Sequence, residues 1–135
     1  MPIIRGQVRG AHLPGKFLAD ETYQKKGKYK YFVVLQGDDH FSKHPFRAVA
    51  LINSIEPKHV TTTSQHPVQD LSMLAIRQDD EILDHGYIDL SYIVMLSATD
   101  IRNSDYIHTL DEQSLRVMDR RLLAGLGVIA PRKPN

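Results

Sequence analysis

Apolar positions along this chain fall into short runs separated by polar, turn-forming segments, and only the C-terminal part repeats at helical spacing. Ile3 to Leu13 predicts an irregular first strand, followed by the polar loop "LPGKFLADETYQKKGK" with a turn signal at Pro14-Gly15. Lys30 to Gln36 is a β-branched and aromatic run closed by "GDD" at 37 to 39. Phe46 to Ser54 alternates, with Phe46, Ala48, Ala50 and Ile52 on one side. After the hydroxyl-rich "TTTSQHP" come "LSMLAI" at 71 to 76 and "GYIDLSYIVML" at 86 to 96, the second long enough for a bent central strand. These are the strands of a small barrel or sandwich.

The end of the chain reads differently. Leu115, Met118, Leu122 and Leu126 recur every three or four residues and form one apolar helical stripe, best explained as core packing against the sheet. Asp111 is placed to cap the helix, with Glu112 in its first turn favoured by the helix dipole. Gly125 and Gly127 weaken its far end, and Pro131 stops anything that continues.

A length of 135 residues suits one domain over residues 1 to 135, with one modest core. Seventeen basic and sixteen acidic residues leave a net charge of +1, so any contact with a polyanion must be local. With no cysteine the chain carries no disulfide and no thiolate metal site, which suits a reducing compartment such as the cytoplasm. The longest apolar runs, such as "YIVML" at 92 to 96, are too short to span a bilayer, and the N-terminus lacks a signal core, so no membrane role is expected.

Several polar clusters invite a chemical reading. Asp38, Asp39, His40 and His44 in "DDHFSKH" are possible metal ligands, but His40 and His44 share a face only on a helix, and "GDD" and Pro45 favour a turn. "TTTSQH" at 61 to 66 and "RQDDE" at 77 to 81 read as exposed loop and solvated turn. The glycines never take the spacing of a phosphate-binding loop. Lysines are the more informative group: Lys25, Lys26, Lys28 and Lys30 crowd the entrance to the Phe32–Leu35 run, with Lys16 upstream. Such cations either shield a strand end from edge pairing or line an anion-binding lip.

The order of segments favours the second by resemblance. "RGQV" at 5 to 8, "KYKYFVVLQ" at 28 to 36, "AVALINS" at 48 to 54, "YIDLSYIVMLSATDI" at 87 to 101 and "IHTLDEQSLRVMDRRLLAGLGVI" at 107 to 129 are similar, in order and spacing, to the MazF/PemK/Kid-like toxin family. The resemblance implies a mainly β fold with a C-terminal helix, a small SH3-like curved barrel of the MazF/PemK/CcdB type. It further implies a homodimer that cuts single-stranded RNA without a metal or other cofactor, and an antitoxin whose acidic segment enters the RNA groove. The family's chemistry, attack of a ribose 2′-hydroxyl on the adjacent phosphate, needs a base, an acid and a cation near the developing charge.

By the same resemblance Lys30-Tyr31 occupies the place of the family's catalytic Arg-Pro, keeping the charge and losing the fork of the guanidinium. Asn53, with Ser54 beside it, stands where the family has threonine. Gln7 replaces the acid of its opening motif, Ser91 takes a later polar position two residues after Asp89, and Val94 replaces an arginine. The implied catalytic set is therefore Lys30, Asn53, Ser54 and Ser91, with Gln7, Lys25, Lys26 and Lys28 on the RNA. His12, His40 and His59 are further candidates for moving a proton. A barrel that binds RNA or a protein without cutting is the alternative reading, and a purely structural interaction domain is a third.

Overall fold

The computed structural model describes residues 2–17, 27–54, 73–76 and 86–128. Its strands are β1 (Gln7–Leu13), β2 (Lys28–Val34), β3 (Phe46–Ser54), β4 (Met73–Ile76), β5 (Gly86–Ser97) and β6 (Asp105–Thr109). Its helices are α1 (Asp38–Phe41), α2 (Ala98–Arg102) and α3 (Glu112–Gly125). The expected class, mainly β with a C-terminal helix, is the one observed. Among the described residues no helix is long and apolar enough to cross a membrane. The chain divides into two compact units, Met1–Leu51 with Ile93–Leu110, and Ile52–Tyr92 with Asp111–Asn135.

In the first unit the strand order is β5-β3-β2-β1-β6. β1 is antiparallel to β2, with Val8 opposite Val33, Ala11 opposite Lys30 and Leu13 opposite Lys28. On its other edge β1 is antiparallel to β6, with a bulge between Val8 and Arg9. Phe32, Val33 and Val34 are all fully buried although neighbours on a strand face opposite ways, so both faces of this end of β2 are covered. The opposite end, Lys28 and Tyr29, is exposed.

β1 starts later than its apolar pattern suggests. Gln7 N donates to Ile4 O at 3.1 Å, closing a turn, and Gly6 takes φ 90°, a value that a residue with a Cβ rarely adopts. β2 likewise lies two residues earlier than expected. The alternation of β3 is inverted at its start, because Phe46 is 55% exposed while Arg47 is fully buried. Three short elements, α1, α2 and β6, had no clear periodic signal, and α1 is a helix where "GDD" favours a turn.

In the second unit β4 is antiparallel to β5, with Leu74 opposite Ile88, and α3 packs on β4. Asp111 caps α3 as expected, its carboxylate accepting from Ser114 N at 2.7 Å. The helix stops through Gly127, at φ 76°: Gly127 N donates to Ala124 O and Val128 N to Leu123 O, the paired bonds of a Schellman end. Met118 is fully buried, as its place in the stripe predicts, whereas Leu126 is 61% exposed and lies outside the core because the helix has ended before it. Pro131 lies outside the described residues.

Candidate functional site

Lys28 and Lys30 sit two apart on β2 and therefore face the same side of the sheet, Lys28 exposed and Lys30 half-buried. Pairing with β1 fixes this end of the strand, so the two ammonium groups are carried on a defined surface. Lys25 and Lys26 lie outside the described residues, as does His59. Asn53 and Ser54 close β3, and Ser91 lies on β5. Val94 is buried.

Gln7, expected on the RNA, is 1% exposed. Its Oε1 accepts from Ile4 N and from Arg9 Nε, both at 3.0 Å, and its Nε2 donates to Pro2 O at 3.3 Å. Arg9 completes the cluster, donating from Nη1 to Ile101 O at 3.1 Å and from Nη2 to Pro2 O at 3.3 Å. Burial lowers the guanidinium pKa of Arg9. Gln7 and Arg9 thus lock the residues before β1 onto the end of α2.

Neighbouring this lock is a polar network that hydropathy conceals. Asp38 accepts from Arg47 Nη1 and Arg102 Nη2, both at 3.0 Å on Oδ1, and from Ile3 N at 3.0 Å on Oδ2. Arg47 also donates from Nε to His44 O at 3.0 Å, which is why a charged residue takes the buried position of β3 and Phe46 the exposed one. Partial burial raises the Asp38 pKa, but the Ile3 N–H and the two arginines outweigh it and hold the carboxyl below its ordinary value. Of the residues read as possible metal ligands, Asp38 is therefore engaged inward, while Asp39 and His40 form an exposed pair at 3.4 Å and His44 stacks edge-on against Phe41. Among the described residues no group of three or more His, Cys, Asp or Glu is placed to hold a metal ion.

A second feature lies on the opposite face of β2 from the lysines. The Tyr29 ring lies across β1 over Gly10, where a Cβ would fall 2.8 Å from Cζ and 2.9 Å from Cε1. Its hydroxyl donates to Asp105 Oδ2 on β6 at 2.6 Å, and it packs edge-to-face with Tyr31, centroids 5.4 Å apart at 80°. Desolvation and the Asp105 hydrogen bond push the Tyr29 phenol up to about 12, so it stays a donor. His12 faces Tyr29 in register. The alternation of "KYKY" at 28 to 31 was the available signal for this two-sided strand end.

A mainly β chain ending in a helix has here a fold of the MazF toxin type. A mycobacterial endoribonuclease in complex with its cognate antitoxin matches at TM-score 0.63 and 15% identity, over 95% of this chain and 98% of that one. Another mycobacterial endoribonuclease structure matches at TM-score 0.58 and 13% identity, over 92% of this chain and 90% of the other. A MazE-MazF structure from Deinococcus radiodurans matches at 0.61 and 10%, over 93% and 96%. No protein-family model and no curated protein sequence matches the chain. At these identities the likeness establishes the fold.

Proposed function

We propose that this chain is the toxin of a type II toxin–antitoxin pair and cleaves single-stranded RNA without a metal ion. The observation that carries the reading is the end-to-end correspondence with an endoribonuclease solved with its antitoxin, which leaves almost no part of either chain unmatched. In the proposed reaction a ribose 2′-hydroxyl attacks the adjacent phosphorus and the bond to the 5′-oxygen breaks, leaving a 2′,3′-cyclic phosphate and a 5′-hydroxyl. Lys30 neutralises the charge that develops on the phosphoryl oxygens, assisted by Lys25, Lys26 and Lys28 along the backbone. Asn53, Ser54 and Ser91 supply polar contacts to the reacting groups, and Gln7 acts indirectly by fixing Arg9 and the start of β1. The protein works in the cytoplasm as a homodimer, held in check by an antitoxin with an acidic segment.

A non-cleaving RNA- or protein-binding module is the second reading, favoured by the absence of a carboxylate at Gln7 and of an arginine at Lys30 and Val94. Incubating the protein with mixed-sequence single-stranded RNA in EDTA, beside Lys30→Ala, separates the two. New ends at a short recurring sequence, lost in the variant, support the ribonuclease; intact RNA bound in a salt-sensitive way supports the module.

A further inference from the structure

The proposed chemistry uses the lysine side of β2 and leaves its tyrosine side without a role. Packing explains only part of that side. A strand glycine leaves a gap that a neighbouring aromatic ring fills, and Tyr29 does this over Gly10. Filling the gap accounts for the phenol end of the ring. It does not account for the 40% of Tyr29 that stays exposed, nor for a hydroxyl tied to the carboxylate of a third strand.

Three contacts immobilise this exposed ring: Gly10 at its phenol end, Tyr31 edge-to-face with it and Asp105 at its hydroxyl. A ring already fixed loses little freedom when a flat partner stacks on it, which is the condition for a stacking platform. Asp105 is exposed beside it, and a carboxylate oxygen accepts more than one hydrogen bond. Phosphate is the wrong ligand for this side, because Asp105 would repel it. It suits the other side, where Lys28 occupies the adjacent position on the same strand end. A single strand crossing the end of β2 would meet cations for its backbone and a ring with an acceptor for a base.

We infer that Tyr29, seated on Gly10 and held by Asp105, is the stacking platform for one unpaired base of a single-stranded RNA, with Asp105 accepting from its Watson–Crick edge. Guanine is the preferred base, because its N1–H and N2–H donors point the same way and suit one carboxylate, whereas uracil offers a single donor there. This inference rests on the RNA-binding reading and assigns it a specificity site.

Labelled RNAs of about ten nucleotides, identical except for one central G, A, C or U, are titrated by fluorescence anisotropy against wild type, Tyr29→Leu, Tyr29→Phe and Asp105→Asn. Leucine still covers Gly10 but cannot stack, and it is expected to weaken binding roughly 5- to 100-fold, the range of one lost base stack. Phenylalanine is expected to keep most of the affinity. Asp105→Asn is expected to abolish the preference for the G-containing RNA while the others bind at least as well. A folded Tyr29→Leu that binds like wild type, while Lys28→Ala and Lys30→Ala weaken binding, overturns the platform and leaves RNA binding standing. Wild type that binds none of the RNAs at low salt overturns both. If Tyr29→Leu does not fold, photocrosslinking of a central 6-thioguanosine to the wild type decides, with a crosslink at Tyr29 or Tyr31 in support and one confined to other segments against.

Discussion

Ile3 and Asp38 hold each other by two reciprocal hydrogen bonds: Ile3 N donates to Asp38 Oδ2 at 3.0 Å, and Asp38 N donates to Ile3 O at 2.8 Å. The same carboxylate is the ionic partner of the fully buried Arg47. Asp38→Asn keeps the backbone bond and the size of the side chain but leaves a buried guanidinium without its counter-charge. It is expected to cost about 3 kcal/mol, read as a lower urea midpoint at unchanged slope.

The same carboxylate sets an acid limit. Because its folded pKa lies below the unfolded value, the native state favours the charged form, and this stabilisation is present above the unfolded pKa. It is lost as pH falls from roughly 4 through the folded pKa. Urea midpoints measured from pH 6 down to 2 should therefore drop more steeply for wild type than for Asp38→Asn.

At the alkaline end the controlling group is Tyr29. With its phenol raised to about 12, the folded state retains a proton that the unfolded chain gives up near pH 10, so stability falls as pH rises between those values. Absorbance titration at the phenolate band should show a component that ionises late. Tyr29→Phe should remove that component, and Asp105→Asn should move it to lower pH.

Gly10 and Tyr29 form a matched pair, which a double-mutant cycle can isolate. Gly10→Ala puts a methyl under the ring and is expected to cost about 1–3 kcal/mol through overpacking. In a Tyr29→Ala background the same change should cost much less, since the ring it strikes is gone.

Both ends of α3 are expected to respond to single changes. Asp111→Ala removes the acceptor of Ser114 N and should cost about 1 kcal/mol. Gly127→Ala forces a Cβ into a left-handed conformation and should cost about 1–2 kcal/mol. Thermal unfolding followed by far-ultraviolet circular dichroism checks both.

How much of this was legible in the sequence depends on whether a signal was local. β3, β5 and α3 announce themselves because each is a long apolar or periodic run, and the Asp111 cap lies next to the stripe it serves. β6 did not, because five residues interrupted by a bulge carry no clean alternation. Arg9 and Arg47 defeated the hydropathy rule outright. Their burial is stabilised by Gln7, Asp38 and the Pro2, Ile101 and His44 carbonyls, and nothing in a window around either arginine points to the more distant of these partners. The lysines of β2 were readable as a cationic strand end, whereas the contact of Tyr29 with Gly10 needed the strand register, in which Tyr29 lies opposite His12 and diagonal to Gly10. Lys25 and Lys26 lie outside the described residues, so their part in the site rests on the resemblance.

Arg9 reaches Ile101 across 92 residues of chain, and Asp38 reaches Arg102 across 64. On the ribosome, β1 and β2 emerge long before the α2 and β6 residues that complete their side of the sheet. Until then the Arg9 Nη1 donor and the outer edge of β1 lack their native partners, and that edge is open to wrong pairing. Closing contacts of such separation is slow, so the last third of the chain, by arriving, ends a vulnerable interval in the synthesis of the first.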